Sequence, residues 1–377
     1  MRSNVQTLAL VILFAASDAA PCTNFMASRN GITLVGSNAD FVDPDAHIWF
    51  VPASPGKHGR AYFGYALGFP MGGVNDQGLF FECPATAPHD SSATGAHEVY
   101  AGSLMEKALE ESATVGEALK LFDSYDHQFI RAFQILFVDR FGDSAIIEGD
   151  TVVRKQGDYQ IATNFRQSLH EPNPYSIDRY TKAENMLKSG GEVSVELFRS
   201  ILAATHQEPG DEQGSPTQVS KICNLGTGDI QLFHYHDYVH AVQINLADEL
   251  RKGPHHYEIR ALFPQTTVAF DTYRKSTRFL PPAAVSANPA VLPDLVGEYV
   301  ADPPVRFLGF TISSEAGKLF GRIRGFASYE LIPESDATYY FRELKSHYSF
   351  VRGSDGKVNA LVFDLYGLEK TSARKVR

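Results

Sequence analysis

Two stretches, Cys22-Thr23-Asn24-Phe25 and Gly36-Ser37-Asn38-Ala39-Asp40, constrain this chain more than any other feature. Between them Thr23 to Met26 alternates, Arg29-Asn30-Gly31 offers a turn, and Ile32-Thr33-Leu34-Val35 is a second β-branched run. That pattern predicts a β-hairpin. Pairing would put Cys22 at the start of one strand and Asp40 near the end of its partner, so that residues distant in sequence become neighbours.

Cys22 also stands where a secretory leader should end. Arg2 gives a basic start, Leu8 to Ala16 form an apolar core, and Ala19-Ala20 are small residues suited to cleavage. The apolar run is too short to span a bilayer. Removing about twenty residues would leave Cys22 at or near a new N-terminus. A thiol beside a free α-amine is a chemical unit: the amine, with a pKa of about 7.7 to 8.0, is partly neutral at pH 7 and takes the thiol proton. Pro21 does not suit a lipidated cysteine, which needs a small residue before it. It also resists signal peptidase, so exposing Cys22 requires trimming or self-cleavage. The bland alternative is an inert thiol.

The 377 residues exceed the usual size of one domain, and two are expected. Apolar residues at 44% are ample for packed cores. The charge balance of 34 Lys and Arg against 44 Asp and Glu, net −10, disfavours nucleic acid and anionic membranes as partners. No second apolar run approaches membrane-spanning length, so an exported product, secreted or periplasmic, is expected. Three cysteines do not make a disulfide framework. Cys83 and Cys223, in apolar surroundings, read as small buried hydrophobes.

Further strands are expected at 47–51, 61–65, 132–139, 144–148, 160–164, 218–224 and 230–238. Capping boxes at Ser103/Glu106 and Thr114/Glu117 start helices, and helices are also predicted at 177–188 and 195–205. The loop Gln207 to Pro216 is polar, with two glycines and two prolines, and is expected at the surface. Pro281 to Pro293 reads as a linker. Beyond it, short strands with turns at Ala316-Gly317, Ser354-Asp355-Gly356 and Tyr366-Gly367 predict a small all-β barrel or sandwich.

Cys-Thr-Asn-Phe, Gly-Ser-Asn-Ala-Asp-Phe, Gly73-Val74-Asn75-Asp76-Gln77-Gly78-Leu79, Ala162-Thr163-Asn164 and Thr217-Gln218-Val219-Ser220 occur in that order. The set resembles the linear-amide C–N hydrolases of the N-terminal-nucleophile superfamily, which include bile-salt hydrolases, penicillin V acylases and relatives of acid ceramidase, over residues 22 to 270. The resemblance implies an α+β fold, a four-layer α/β/β/α sandwich, and cleavage of a non-peptide amide through an acyl-thioester. It makes Cys22 the nucleophile and, through its freed amine, its own base. Asp40 would hold that amine, and Asn164 would donate to the oxyanion. Asn75 would support the oxyanion pocket, against a purely turn-forming role.

There are departures. Ser37 stands where the bile-salt branch has arginine. Arg179 is a candidate near the site in place of that branch's second arginine, against a solvated position on its helix. Ser37 and Arg179 are therefore the residues that bear on the substrate pocket. His234, His236, Tyr238 and His240 would share a face on one strand, which invites a metal. A polar aromatic face or pocket lining is the preferred reading, and neither metal nor cofactor is expected. The tail from 294 to 377 resembles the small lipocalin-like module attached to exported serine hydrolases. These readings divide the chain into a leader (1–21), an amide hydrolase domain (22–280), a linker (281–293) and an accessory barrel (294–377). The expected substrate is a small N-acyl amide, and a homo-oligomer is compatible with the sequence. An acyltransferase of the isopenicillin type is the rival enzyme, and a binding protein on a hydrolase scaffold is the rival from another class.

Overall fold

The structure, a computed structural model, describes residues 22–65, 70–87, 97–98, 100, 102–126, 130, 133–169, 174–189, 191–209, 215–276, 285–286, 288–301, 309–323, 328–342, 345–364 and 371–376. The expected leader, residues 1–21, lies outside them.

Strand β1 (Thr23–Arg29) and β2 (Ile32–Asp40) form the expected hairpin, with Arg29 paired to Ile32 and Thr23 to Asn38. Asn30 (φ 52°) and Gly31 (φ 79°) close it, both in the left-handed region that a two-residue turn of this hand demands. Gly36 pairs with Phe25, and the Phe25 ring lies where a Cβ on Gly36 would sit. The motif glycine is therefore the floor under a buried aromatic.

The hairpin belongs to a six-stranded antiparallel sheet in the order β10-β1-β2-β11-β12-β13. Here β10 is Tyr159–Ala162, β11 Thr217–Asn224, β12 Asp229–His234 and β13 Asp237–Asn245. An eight-stranded sheet runs β14-β3-β4-β5-β6-β7-β8-β9. Its strands are β3 (His47–Val51), β4 (Arg60–Gly64), β5 (Gly72–Asn75), β6 (Phe80–Glu82), β7 (Ile135–Val138), β8 (Ser144–Glu148), β9 (Thr151–Arg154) and β14 (His255–Glu258).

Alternation in β1 and β2 sorts their side chains between two cores. Met26 and Val35 join residues of both sheets, such as Phe63, Phe80, Leu136 and Leu232. Phe25, Ala27 and Leu34 join helices α3 (Pro174–Ser189) and α4 (Val195–Thr205) through Ala183, Leu187, Phe198 and Ile201. On the eight-stranded sheet, Tyr62, Phe81 and Phe137 pack with α1 (Leu104–Glu111) and α2 (Val115–Asp123). Ser103 and Thr114 cap α1 and α2 as expected, Thr114 in a reciprocal box with Glu117. Two further helices, α5 (Leu246–Leu250) and α6 (Val268–Ser276), carry no sequence expectation.

The tail is a closed barrel rather than a sandwich, β15 to β22 in sequence order with β15 (Gly297–Ala301) pairing to β22 (Thr371–Lys375). The strands between are β16 (Gly309–Glu315), β17 (Lys318–Ile323), β18 (Ser328–Pro333), β19 (Thr338–Phe341), β20 (Ser346–Arg352) and β21 (Val358–Phe363). The turn at Ala316 (φ 50°) and Gly317 (φ 78°) is present; Tyr366-Gly367 lies outside the described residues. The predicted linker ends in a short helix, α7 (Leu292–Leu295), with Leu292 and Leu295 buried. Among the described residues no helix is long and apolar enough to cross a membrane.

Two expectations fail for a local reason. The predicted strand 230–238 is broken by a tight turn: Tyr235 (φ 43°) and His236 (φ 67°) link β12 to β13. The four-residue stripe of His234, His236, Tyr238 and His240 therefore does not exist. The loop after α4 is not wholly at the surface, because Gln207 and Ser215 at its ends are buried.

Candidate active site

Cys22 precedes β1 and is 8% exposed. Its Sγ lies 4.0 Å from the main-chain oxygen of Asp40 on the neighbouring strand. Burial, then the negative charge of Asp40, pushes the thiol up to about 12. A thiol so placed ionises only when a nearby base takes its proton.

Asp40 ends β2 and is buried. Its carboxylate accepts from the Gln207 side-chain amide and the Thr217 hydroxyl. Burial raises it to about 7, against the Arg179 charge and those two hydrogen bonds. The two holders are themselves locked together. Thr217 N donates to Gln207 O at 3.1 Å, and Gln207 N donates to Thr217 Oγ1 at 2.9 Å.

Arg179 reaches the same place from α3. It is 3% exposed, not the solvated helix charge weighed from sequence. One nitrogen donates to the Cys22 carbonyl (2.9 Å) and to Thr23 Oγ1 (2.7 Å), the other to Asn164 Oδ1 (2.8 Å). Asn164 follows β10, which pairs with β1 through Asn24 and Ala162. Its amide donates to Ala85 O at 2.8 Å, just beyond β6. Cys22, Asp40, Arg179 and Asn164, from four segments, thus meet at one end of the central hairpin.

Asn75 does not join them. Its Oδ1 accepts from Gln77 N and Leu79 N, while Nδ2 donates to Leu109 O and Ser112 O at 2.9 and 2.7 Å. These four bonds use its amide fully, closing the β5–β6 turn and tying it to the end of α1. Ser37 faces the space between the sheets, paired with Asn24 on one side and Lys221 on the other.

Sequence reading missed Lys221 and Glu82. Lys221 Nζ donates to Ser37 Oγ (3.1 Å) and pairs with Glu82 at 2.9 Å, with side chains 2% and 5% exposed. Gly72 makes room for that carboxylate, since a Cβ there would overlap it. The Glu82 charge is felt by Cys22, so this buried pair borders the site. Beside it, Asn24 is wholly buried, and neither side-chain polar atom has a hydrogen-bond partner among the described residues. A lysine at the centre of the expected strand 218–224, between Ser220 and Ile222, was the available signal. Gln207 was missed because its loop reads as surface.

Of the histidines, His234 is buried against Phe270 and Phe263, with ring centroids 4.4 and 5.6 Å away. His240 is exposed and bonded to Asp237. His236 lies instead beside His206, ring centroids 4.7 Å apart. All three cysteines are free and buried, as expected of Cys83 and Cys223.

No protein-family model matches the chain, and no curated protein matches it. Among solved structures it is similar to a mutant of conjugated bile acid hydrolase from Clostridium perfringens, at 14% identity and a TM-score of 0.49, over 63% of this chain and 96% of that one. For a second variant of that hydrolase the identity is 15% and the TM-score 0.48, over 63% and 97% of the two chains. Penicillin V acylase from Agrobacterium tumefaciens gives 15% identity and a TM-score of 0.39, over 63% and 92%. Conjugated bile acid hydrolase and penicillin V acylase are thus among the proteins this chain is similar to, and both are of kinds that its motif order resembles.

Proposed function

We propose that the chain is exported, loses its leader up to Pro21, and then cleaves linear amides of small N-acyl compounds with Cys22 as nucleophile. In this reading 22–280 carries the chemistry, with α3 and α4, the six-stranded sheet, the eight-stranded sheet, and α1 and α2 as its four layers. Residues 294–377 form an accessory barrel. The observation that carries the reading is the bridge from Arg179 to both the Cys22 carbonyl and Asn164, with Asp40 adjoining.

The steps follow from the atoms present. The freed amine of Cys22 takes the thiol proton, and the sulfur adds to the substrate carbonyl carbon. Negative charge then develops on the carbonyl oxygen, where an N–H of Asn164 and the Arg179 charge stabilise it. The protonated amine returns its proton to the leaving nitrogen as the C–N bond breaks, giving an acyl-thioester and a free amine. Water, deprotonated by the same amine, attacks the thioester and releases the acid. Asp40 orients the amine, and the new ammonium beside it lowers its raised pKa.

The test is intact-mass analysis of the mature protein mixed with N-acyl amides. An acyl adduct on wild type, absent in Cys22→Ala together with turnover, is expected. Undiminished turnover in Cys22→Ala, or a mature chain still headed by Pro21 and fully active, would overturn the reading.

A further inference from the structure

His206, Glu208 and His236 meet at the mouth of the loop after α4. His206 Nε2 is 3.1 Å from one Glu208 carboxylate oxygen, and His236 Nδ1 is 3.2 Å from the other. The three ligand atoms all lie within 4.8 Å of one another. Ligands at about 2.0–2.1 Å in a tetrahedron around zinc stand roughly 3.3 Å apart. Each histidine nitrogen stands about that far from a Glu208 oxygen, one from each oxygen, so a small shift of the carboxylate would seat an ion.

The surroundings suit a metal better than a bare hydrogen-bonded triad. His206 Nδ1 lies 2.6 Å from the carbonyl of Ala203, which fixes a proton there and leaves Nε2 its lone pair. The His236 ring also donates to the Thr217 main chain, the kind of outer contact that orients a ligating imidazole. The cluster faces water on one side, with 58% of the Glu208 side chain exposed, so an ion has a way in.

The backbone that presents the ligands is held in place. His206 ends α4, and Asn38 ties that helix to β2 by donating to Leu202 O and Thr205 Oγ1. His236 occupies the β12–β13 turn, anchored by Tyr235 N donating to Gln218 O at 3.0 Å. Glu208 follows Gln207, which is locked to Thr217.

We propose that His206, Glu208 and His236 form a Zn²⁺ site, completed by water, that clips the end of α4 to the β12–β13 turn. Between two of its ligands lies Gln207, whose amide holds Asp40. The ion is a positioning element, one residue removed from the support of the carboxylate, and takes no part in bond breaking. This inference goes beyond the amide reading and stands without it.

The experiment is zinc titration of the chelator-stripped mature protein, by calorimetry and by metal analysis after gel filtration. About one Zn²⁺ per chain is expected, with a rise in Tm. His206→Gln and His236→Gln should each weaken binding at least about tenfold. Cobalt in place of zinc should give the intense visible absorption of a tetrahedral site in wild type and lose it in either variant. Should a histidine variant fail to fold, Glu208→Gln, in the loop, carries the test with the same expected loss. No retained zinc in wild type, or uptake unchanged in the variants, would overturn the proposal whatever the activity.

Discussion

Arg179 lies on α3 among charges that look solvated, Asp178 and Lys182 being paired on the open face at 2.7 Å. Nothing in that local sequence says which way the guanidinium turns. The decision comes from the packing of α3 on β1, which brings Arg179 to a residue 157 positions earlier in the chain. Cys22 and Asp40 were legible because one hairpin joins them. Asn164 was legible only through the motif order, and Lys221 only as a lysine in mid-strand, since its burial depends on β11 pairing with β2. Arg179→Gln should leave the Cys22 carbonyl, the Thr23 hydroxyl and Asn164 without their cation. The expected cost is about 1–3 kcal/mol of stability, read from urea denaturation. Amide turnover should fall about a hundredfold or more, with Arg179→Lys recovering part of it. Turnover unchanged in Arg179→Gln would remove this residue from the chemistry.

At the scale of elements, the hairpin was readable because both its signals are local: alternation, and an Asn-Gly pair that tolerates positive φ. The Phe25-over-Gly36 contact explains why each stretch carries that residue. Gly36→Ala should push the ring out of its place between β2 and α4 and cost about 1–3 kcal/mol. Denaturation midpoints check it, and a neutral result would mean the ring has room to move. The same kind of local reading failed at Tyr235-His236, where two aromatic residues adopt left-handed backbone without a glycine or asparagine to announce it. Strand periodicity ran straight through the turn, and His236 was assigned to the wrong neighbours. Its actual neighbours are His206 at the end of α4 and Glu208, in a loop whose composition reads only as polar.

At the scale of the whole molecule, the regular turn spacing of the tail was enough to foresee a small β unit. Spacing alone left barrel and sandwich open, and the barrel was reached through the resemblance to a lipocalin-like module; the closing pair itself, β15 with β22, first strand with last, was hidden from local reading. Equally hidden was how the barrel meets the rest. Lys345, held at φ 45°, places its ammonium 2.5 Å from Asp43, a wholly buried carboxylate three residues from Asp40. Burial raises Asp43 to about 6 from its ordinary 3.8, against the pull of Lys345. Both folded and unfolded chains hold this proton well below pH 4, and both release it well above pH 6. Between those limits only the folded chain keeps it, so folding stability from this group is present at low pH and lost as pH rises. Relative to Asp43→Asn, wild type should lose about 2 kcal/mol between pH 4 and pH 6.5. Urea denaturation of the two proteins across that range checks it, and parallel curves would refute it. Severing the chain before Leu292 would then do more than discard an appendage: it would take from Asp43 the cation that offsets its burial.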